Sequence, residues 1–146
     1  MDPTGAALLR VAAFACLAIA VLQFVMYFGG VEVYRLCGTP EFLIQYYVER
    51  PVGAFFLEVL LALLFAGFSA YALSAGGTIA PLPWLRPALT ATAAIFLVRG
   101  LILVPQLTGR LLPQNPNLDR LYSALALAIG VCMALPLYRH WSQIGQ

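Results

Sequence analysis

Four long apolar runs, separated by shorter polar stretches, dominate the pattern of this chain. They cover residues 8–28, 52–73, 88–104 and 118–138. Runs of about 17 to 22 residues are long enough for a helix to cross a hydrocarbon core about 30 Å thick. A helix also satisfies its own backbone hydrogen bonds within lipid. The pattern predicts an all-α integral membrane four-helix bundle, with residues 1–146 forming a single four-span transmembrane domain.

Glycine and proline mark the ends of these runs. Gly29-Gly30 follows the first run, as expected where a helix ends. Pro87 and Pro105 bracket the third run. Asn115-Pro116 precedes the fourth run, and this pair suits a helix cap followed by the first helical residue. We expect the connection from Pro105 to the fourth run to be irregular.

The connection between the first two runs carries a helix signal of its own. Thr39-Pro40-Glu41 combines a capping residue, a proline and an early acidic side chain. Residues 42–50 then mix aromatic, apolar and charged side chains. We predict a short interfacial helix in this first loop, with Tyr46 and Tyr47 at the level of the lipid head groups.

The composition agrees with a membrane protein and argues against a nucleic-acid partner. Hydrophobic residues make up 62% of the chain and charged residues only 10%, whereas a soluble domain carries about 25% charged residues. The formal net charge is +2, and all eight basic residues are arginines scattered along the chain. This charge is too small and too dispersed to form a nucleic-acid surface.

Four spans place both termini on one side of the membrane. Three arginines lie on that side and four on the other, so the positive-inside rule discriminates weakly. Arg10 directly flanks the first run, and the opposite side also carries most of the acidic residues. We therefore expect both termini to be cytoplasmic. The arginines on the terminal side are Arg10, Arg86 and Arg139, and those on the other side are Arg35, Arg50, Arg110 and Arg120.

Two ionisable residues lie inside the apolar runs at matching depth. Glu58 comes six residues after Val52, and Arg99 comes five residues before Val104. At about 1.5 Å per residue, both lie roughly 8–9 Å below the same membrane face. Charged side chains at such depth are costly and are usually paired. Because their two runs are consecutive and antiparallel, we predict an intramembrane Glu58–Arg99 pair.

The same depth count adds polar residues from the other two helices. Gln23, Tyr122 and Ser123 fall in the same half of the membrane, so we predict one polar layer made by all four helices. Helical steps of three or four from these positions reach mostly small residues, which let helices approach closely in lipid. We expect these stripes to face inward: Ala12, Cys16 and Ile19; Ala62, Ala66 and Ser69 or Ala70; Ala88, Thr92 and Ile95; Ala126, Gly130 and Ala134.

The predicted pair leaves three interpretations open. It pins the second helix to the third, or it anchors a lipid or quinone in a pocket below the loop helix, or it meets a partner subunit. His140 is the only histidine, and the three cysteines form no CxxC motif. We therefore predict no metal site, no cofactor and no catalytic set. Any reaction would have to use Glu58 as acid or base and Arg99 as an electrostatic stabiliser.

Residues 97–105 (LVRGLILVP) and 121–130 (LYSALALAIG) resemble small four-helix proteins of bacterial inner membranes, similar in size and helix number to the DoxX-like group. The resemblance implies a bacterial inner (plasma) membrane location. Some DoxX relatives are associated with quinone-linked oxidoreductases, which would suit a lipophilic pocket. The resemblance assigns no catalytic residue.

These observations favour a small inner-membrane protein that acts by binding, as an accessory subunit or as a pocket for a lipid or quinone. Membrane lipid is the expected partner, together with a lipophilic small molecule, a partner subunit or a second copy of the chain. Two alternatives remain open. One is a membrane enzyme or oxidoreductase subunit that handles a quinone or lipid, and the other is an oligomeric transporter.

Overall fold

The computed structural model describes residues 2–109, 116–142 and 144, and these residues form a helical bundle. Four segments of the described chain are long and apolar enough to cross a membrane, namely α1, α3, α4 together with α5, and α6. The predicted all-α four-helix architecture of a multi-pass membrane protein is confirmed. The helices are α1 (Pro3–Leu36), α2 (Glu41–Glu49), α3 (Pro51–Ala75), α4 (Leu85–Leu101), α5 (Leu103–Leu107) and α6 (Pro116–Arg139).

Helix α1 continues beyond the predicted end of the first span. Gly30 has φ 73° and ψ −168°, which is not helical and kinks the helix there. This backbone region is essentially restricted to glycine. The Gly29-Gly30 signal thus marks the end of the straight part, but residues 31–36 resume the helix. This second part changes the direction of the chain and carries Tyr34, which becomes important below.

The predicted short helix in the first loop forms as α2, directly before α3. The third span differs from its prediction because it breaks at Ile102 instead of Pro105. Pro105 lies in the first turn of α5. The amide proton that proline lacks costs little there, because the N–H groups of a first turn have no acceptor within the helix. The connection is therefore helical as far as Leu107, and the prediction of an irregular segment is wrong there. Arg110, Pro113 and Asn115 lie outside the described residues.

Two tightly packed helix pairs make up the bundle. Helix α1 packs most extensively against α3, and α4 packs most extensively against α6; smaller contacts join α1 to α6 and α3 to α4. Glycine allows the second pair to approach closely. A Cβ atom added at Gly100 would lie 2.5 Å from the Leu127 Cα atom, and one at Gly130 would lie 2.9 Å from the Leu97 nitrogen.

The bundle has two ends with different interiors. At one end, called the terminal end below, the N- and C-terminal regions meet, since His140 Nε2 lies 2.9 Å from Asp2 Oδ1. An apolar core fills this half, and Leu9, Leu89 and Met133 are fully buried in it. The opposite end carries α2 and is called the loop end. Both termini therefore share one side of the bundle, as predicted.

Most predicted small-residue stripes face inward, and many large apolar residues face outward. Ala12, Cys16, Ala62, Ser69 and Ala126 are buried. These exposed apolar side chains form a belt that lipid tails would contact, because the tails are as apolar as the side chains. It includes Phe14, Val21, Leu60, Leu63, Val98 and Leu125.

Candidate functional site

Glu58 is held by a tyrosine that the depth analysis did not include. The Tyr34 hydroxyl donates a hydrogen bond of 2.6 Å to Glu58 Oε1. Both residues are buried, because only 7% of the Glu58 surface and 3% of the Tyr34 surface are exposed. Tyr34 reaches Glu58 because the kink at Gly30 redirects the last turns of α1.

Arg99 has a different partner. Its Nη1 donates a hydrogen bond of 2.8 Å to Ser123 Oγ on α6. Ser123 is fully buried, while Arg99 lies at an exposed position of α4. Two residues of the predicted polar layer, Arg99 and Ser123, are therefore in direct contact.

The predicted Glu58–Arg99 pair is wrong. Among the described residues, every ion pair with a nitrogen–oxygen distance of 4.0 Å or less joins residues other than Glu58 and Arg99. The reason lies in the packing of the bundle. Helix α3 presents Glu58 to α1, its main neighbour, and the close α4–α6 contact at Gly100 turns the adjacent Arg99 toward α6. The ion pairs join Arg35 to Glu32 and Glu41, and Asp2 to His140.

The inward stripe predicted for the third span is also partly wrong. Thr92 is buried, but Ile95 is 54% exposed and Arg99 is exposed as well. The buried face of α4 instead passes through Phe96 and Gly100. The buried stripe of α4 is thus shifted by one residue from the predicted stripe. Because successive helical residues point about 100° apart, this shift turns a predicted buried position toward the lipid.

The single predicted polar layer is split into two sites at one level of the bundle. Gln23 and Glu58 line a cavity beneath α2, whereas Arg99 and Tyr122 line a groove on the other side of α1. The α1 residues Leu22 and Gln23, which are adjacent in sequence, line the groove and the cavity respectively. The residues that the depth count grouped into one layer thus lie at two separate sites around α1.

The cavity beneath α2 has a volume of about 210 Å³. Its buried polar side chains are those of Glu58, Tyr34 and Gln23, and the rest of its wall is largely apolar or aromatic. Such a mixture of apolar wall and few polar groups is typical of small-molecule sites. The remaining lining residues are Met26, Thr39, Pro40, Leu43, Tyr46, Tyr47, Ala54, Leu57 and Leu61.

Helix α2 covers this cavity and is fixed by aromatic contacts. The Tyr47 ring lies 5.0 Å from the Tyr34 ring and 5.6 Å from the Tyr27 ring, between centroids. The Tyr47 hydroxyl also donates to the Tyr27 carbonyl oxygen at 3.2 Å. Tyr34 and Tyr47, which help to hold α2 in place, thus also line the cavity near Glu58. The predicted site beneath the loop helix has a counterpart in this arrangement.

One oxygen of Glu58 lacks a partner among the residues that the structure describes. Its Oε2 atom is buried without a hydrogen bond, as is the Oε1 atom of Gln106 on α5. Leaving a buried polar atom unsatisfied costs about 1–3 kcal/mol, so such atoms are rare in folded proteins. A molecule in the cavity that brings a hydrogen-bond donor to Glu58 would remove this cost.

Sequence reasoning missed Tyr34 and the inward contact of Tyr47. Residues 29–51 read as a connection, because Gly29-Gly30 normally ends a helix. The signal available was the helix-compatible stretch of residues 31–36 directly after the glycines. No sequence pattern indicates that the chain would kink at the glycines, instead of forming a loop, and so bring a tyrosine into contact with α3.

The polar side chains at the two sites include a carboxyl group, phenols, an amide and a guanidinium group. In the described parts of the chain, no cluster of three or more histidine, cysteine or acidic residues could hold a metal ion. What the cavity offers is a carboxyl group, a phenol and an amide in an apolar enclosure. No protein-family model, curated protein or solved structure matches this chain.

Proposed function

We propose that this multi-pass membrane protein binds a lipophilic molecule in the cavity beneath α2, and that the ligand places a hydroxyl or amine group against Glu58. The observation that carries the proposal is the unpartnered, buried Oε2 atom of Glu58, a residue that lines that cavity. A donor on the ligand would satisfy this oxygen as Tyr34 satisfies the other.

The size of the cavity narrows the ligand class. Its volume of about 210 Å³ lies below the roughly 300–1,000 Å³ of sites that enclose drug-sized molecules. The cavity therefore suits a ring or head group, with an apolar tail extending along the outside of the bundle. A quinol, or a lipid with a hydroxyl or amine head group, has this build.

The polar residues have complementary roles in this proposal. Glu58 orients the donor group of the ligand, and Tyr34 fixes the carboxyl group through its hydrogen bond. The Gln23 amide offers both a donor and an acceptor to a second polar atom of the ligand. Leu57, Leu61 and similar side chains accept its apolar part.

The membrane assignment adds a location to the proposal. The DoxX-like resemblance of residues 97–105 and 121–130 supports a bacterial inner membrane and agrees with a quinone-class ligand. Arg10 beside the first span, together with the acidic residues of the opposite side, supports cytoplasmic termini. In that orientation the cavity faces the periplasmic half of the membrane. Cys37 lies next to the cover of the cavity and is half-buried. An impermeant thiol reagent should therefore label Cys37 from the periplasmic side.

Mass spectrometry of co-purified molecules tests the proposed ligand. The full chain is purified from native membranes in mild detergent, and bound lipids and quinones are identified. The Glu58→Gln variant should retain the ligand about tenfold less well, which corresponds to one lost hydrogen bond to a carboxyl group. Glu49→Gln is the matched control, because Glu49 is exposed on α2 and does not line the cavity.

Thermal unfolding of each variant separates lost binding from lost folding. The proposal requires Glu58→Gln to remain folded with the ligand depleted, while Glu49→Gln behaves like the unaltered chain. A purified protein that carries no lipophilic molecule, or a Glu58→Gln variant that keeps the molecule fully, would contradict it.

A further inference from the structure

A long groove runs along the surface between α1 and α6, away from the cavity beneath α2, and one end of it also reaches Phe65 of α3 and Phe96 of α4. It consists of two adjoining hollows with volumes of about 420 and 340 Å³. The first hollow has Arg99 and Tyr122 in its wall, and the second extends to Val11 and Cys132. Both hollows share the same four side chains, which makes the groove continuous: Ala18, Ile19, Leu125 and Ile129.

The length of the groove matches one leaflet of a bilayer. Along α1 it reaches from Leu22 near the loop end to Val11. These eleven helical steps correspond to about 16 Å. Half of a hydrocarbon core about 30 Å thick is about 15 Å. A single extended acyl chain segment of about this length would therefore fill the groove from the level of Arg99 toward the terminal end.

The walls of the groove select an apolar occupant. Alanines at positions 12, 15, 18 and 128 create its depth, and Ile19, Leu125 and Ile129 line its sides. Apart from Arg99 and Tyr122 at one end and the weakly polar Cys132 thiol at the other, the lining side chains offer no hydrogen bonds to water. A water molecule needs two to four polar partners, so an acyl chain suits the remainder of the groove better than water does.

Arg99 gives the groove a polar end with a positive charge. A guanidinium group has five N–H donors, and its hydrogen bond to a side chain of the described residues goes to Ser123. No carboxylate of those residues lies within 4.0 Å of Arg99. Arginine pairs well with phosphate because its planar donors match two phosphate oxygens. The exposed position of Arg99 leaves it accessible to such a group.

We propose that the α1–α6 groove binds an anionic phospholipid of the surrounding leaflet, with its phosphate on Arg99 and one acyl chain along Ala18. This site goes beyond the cavity beneath α2 and is chemically opposite to it. The cavity presents a carboxyl group to a donor, whereas the groove presents a guanidinium group to an anion. The charge of Arg99 favours an anionic head group over a zwitterionic one, whose ammonium group offsets the phosphate.

Native mass spectrometry of the full chain with phosphatidylglycerol or phosphatidylcholine tests the polar end of the groove. The unaltered chain should retain one phosphatidylglycerol molecule more strongly than phosphatidylcholine. Arg99→Gln should weaken phosphatidylglycerol binding about tenfold, as expected for the loss of charge-assisted hydrogen bonds. Arg99→Lys should lose less, because it keeps the charge but not the planar donors.

Arg50→Gln is the matched control for charge. Arg50 is exposed and joins α2 to α3, so it lies at the same end of the bundle but not in the groove. General attraction of anionic lipid to this end would make Arg50→Gln and Arg99→Gln equally weak. That result would overturn the proposal, as would equal retention of the two lipids by the unaltered chain.

Ala18→Leu tests the apolar part of the groove without removing charge. Ala18 is exposed and belongs to both hollows, so a leucine there fills the groove and leaves the core intact. It should weaken phosphatidylglycerol binding several-fold. The control is Ala94→Leu, at an exposed α4 position that lines neither hollow. Unchanged binding in Ala18→Leu would contradict occupation of the groove by an acyl chain.

Two further results separate this site from its alternatives. Glu58→Gln should leave phosphatidylglycerol binding unchanged, so the groove and the cavity can succeed or fail independently. Size-exclusion chromatography with light scattering reports whether a second copy covers the groove instead. A dimer that Ala18→Leu breaks, and that excludes phosphatidylglycerol, would overturn the lipid assignment.

Discussion

Glu58 and Arg99 are two ionisable residues of membrane-spanning helices in one small bundle, but their surroundings differ. Glu58 is enclosed by α1, α2 and α3, and its partner comes from a kinked helix end. Arg99 faces an open groove, and its partner Ser123 lies on a helix packed tightly against its own. An enclosed carboxyl group suits selective binding of a donor, whereas an exposed guanidinium group suits exchange with lipid.

The scaffolds of the two sites differ as well. Close backbone contact at glycines fixes α4 against α6, so the Arg99 site depends on helix packing. Aromatic side chains and hydrogen bonds fix the cover of the Glu58 cavity. Substitutions should therefore affect the sites separately.

The largest effect is expected from Gly100→Ala, which attacks the scaffold of the Arg99 site. The added Cβ atom would lie 2.5 Å from the Leu127 Cα atom, so the helices must move apart. We expect a loss of about 3 kcal/mol in the free energy of unfolding, near the upper range for overpacking. Unfolding with sodium dodecyl sulfate in mixed micelles would measure it.

Gly67→Ala provides the control for this substitution. Gly67 lies within α3, and an added Cβ atom there meets nothing within 4 Å. Alanine is the better helix former, so stability should stay equal or rise by up to about 1 kcal/mol. Equal destabilisation by the two substitutions would show that α4 and α6 are not in close contact.

A smaller effect is expected from Tyr34→Phe, which attacks the Glu58 site alone. It removes the 2.6 Å hydrogen bond and leaves both Glu58 oxygens without a partner among the described residues. We expect a loss of about 2 kcal/mol in the free energy of unfolding. The same micellar unfolding assay measures this change, and ligand retention should fall while phosphatidylglycerol binding persists.

Tyr138→Phe is the matched control, because Tyr138 is 86% exposed on α6. It should leave stability and ligand retention unchanged. If Tyr34→Phe were equally silent, the hydrogen bond to Glu58 would have no energetic importance and the comparison between the two sites would lose one side.

The smallest effect concerns the terminal end, which belongs to neither site. The pKa of Asp2 lies below its ordinary value of 3.8. The main cause is a hydrogen bond from the Gly5 amide, and the nearby His140 lowers the pKa further. The stabilisation that this carboxylate provides is present above the ordinary pKa and is lost as the pH falls through the lower folded-state pKa. Unfolding measured between about pH 5 and pH 2 should show a slight decline.

Asp2→Asn removes the titration but keeps a side chain that caps helices well. The variant should therefore show a flatter dependence of stability on acidic pH than the unaltered chain. A decline of equal size in both proteins would assign the acid sensitivity to other carboxyl groups.

The sequence predicted the helices, and the depth of residues along them, better than the directions in which side chains point around each helix. Helix existence follows from long apolar runs, and the depth of Glu58 and Arg99 follows from counting residues along them. Direction around a helix depends instead on which neighbours pack most closely. Gly100 and Leu127 determine the direction of Arg99, and these two residues are more than 20 positions apart.

The contact between Tyr34 and Glu58 was beyond sequence reasoning for a related reason. It requires both a glycine conformation at position 30 and a following helical turn of defined orientation. Glycine permits many backbone conformations, so its presence predicts a change in direction but not the new direction. The binding of a ligand in the cavity and the DoxX-like resemblance stay predictions for the experiments above.

The composition of the cavity wall has a consequence for biosynthesis. Every residue that lines it falls between positions 23 and 61, within α1, α2, α3 and their connection. The groove, in contrast, needs α6, which emerges from the ribosome after α1 to α5. A nascent chain that has inserted its first two spans therefore already holds all the walls of the cavity, whereas the groove can assemble only after α6 has been synthesised.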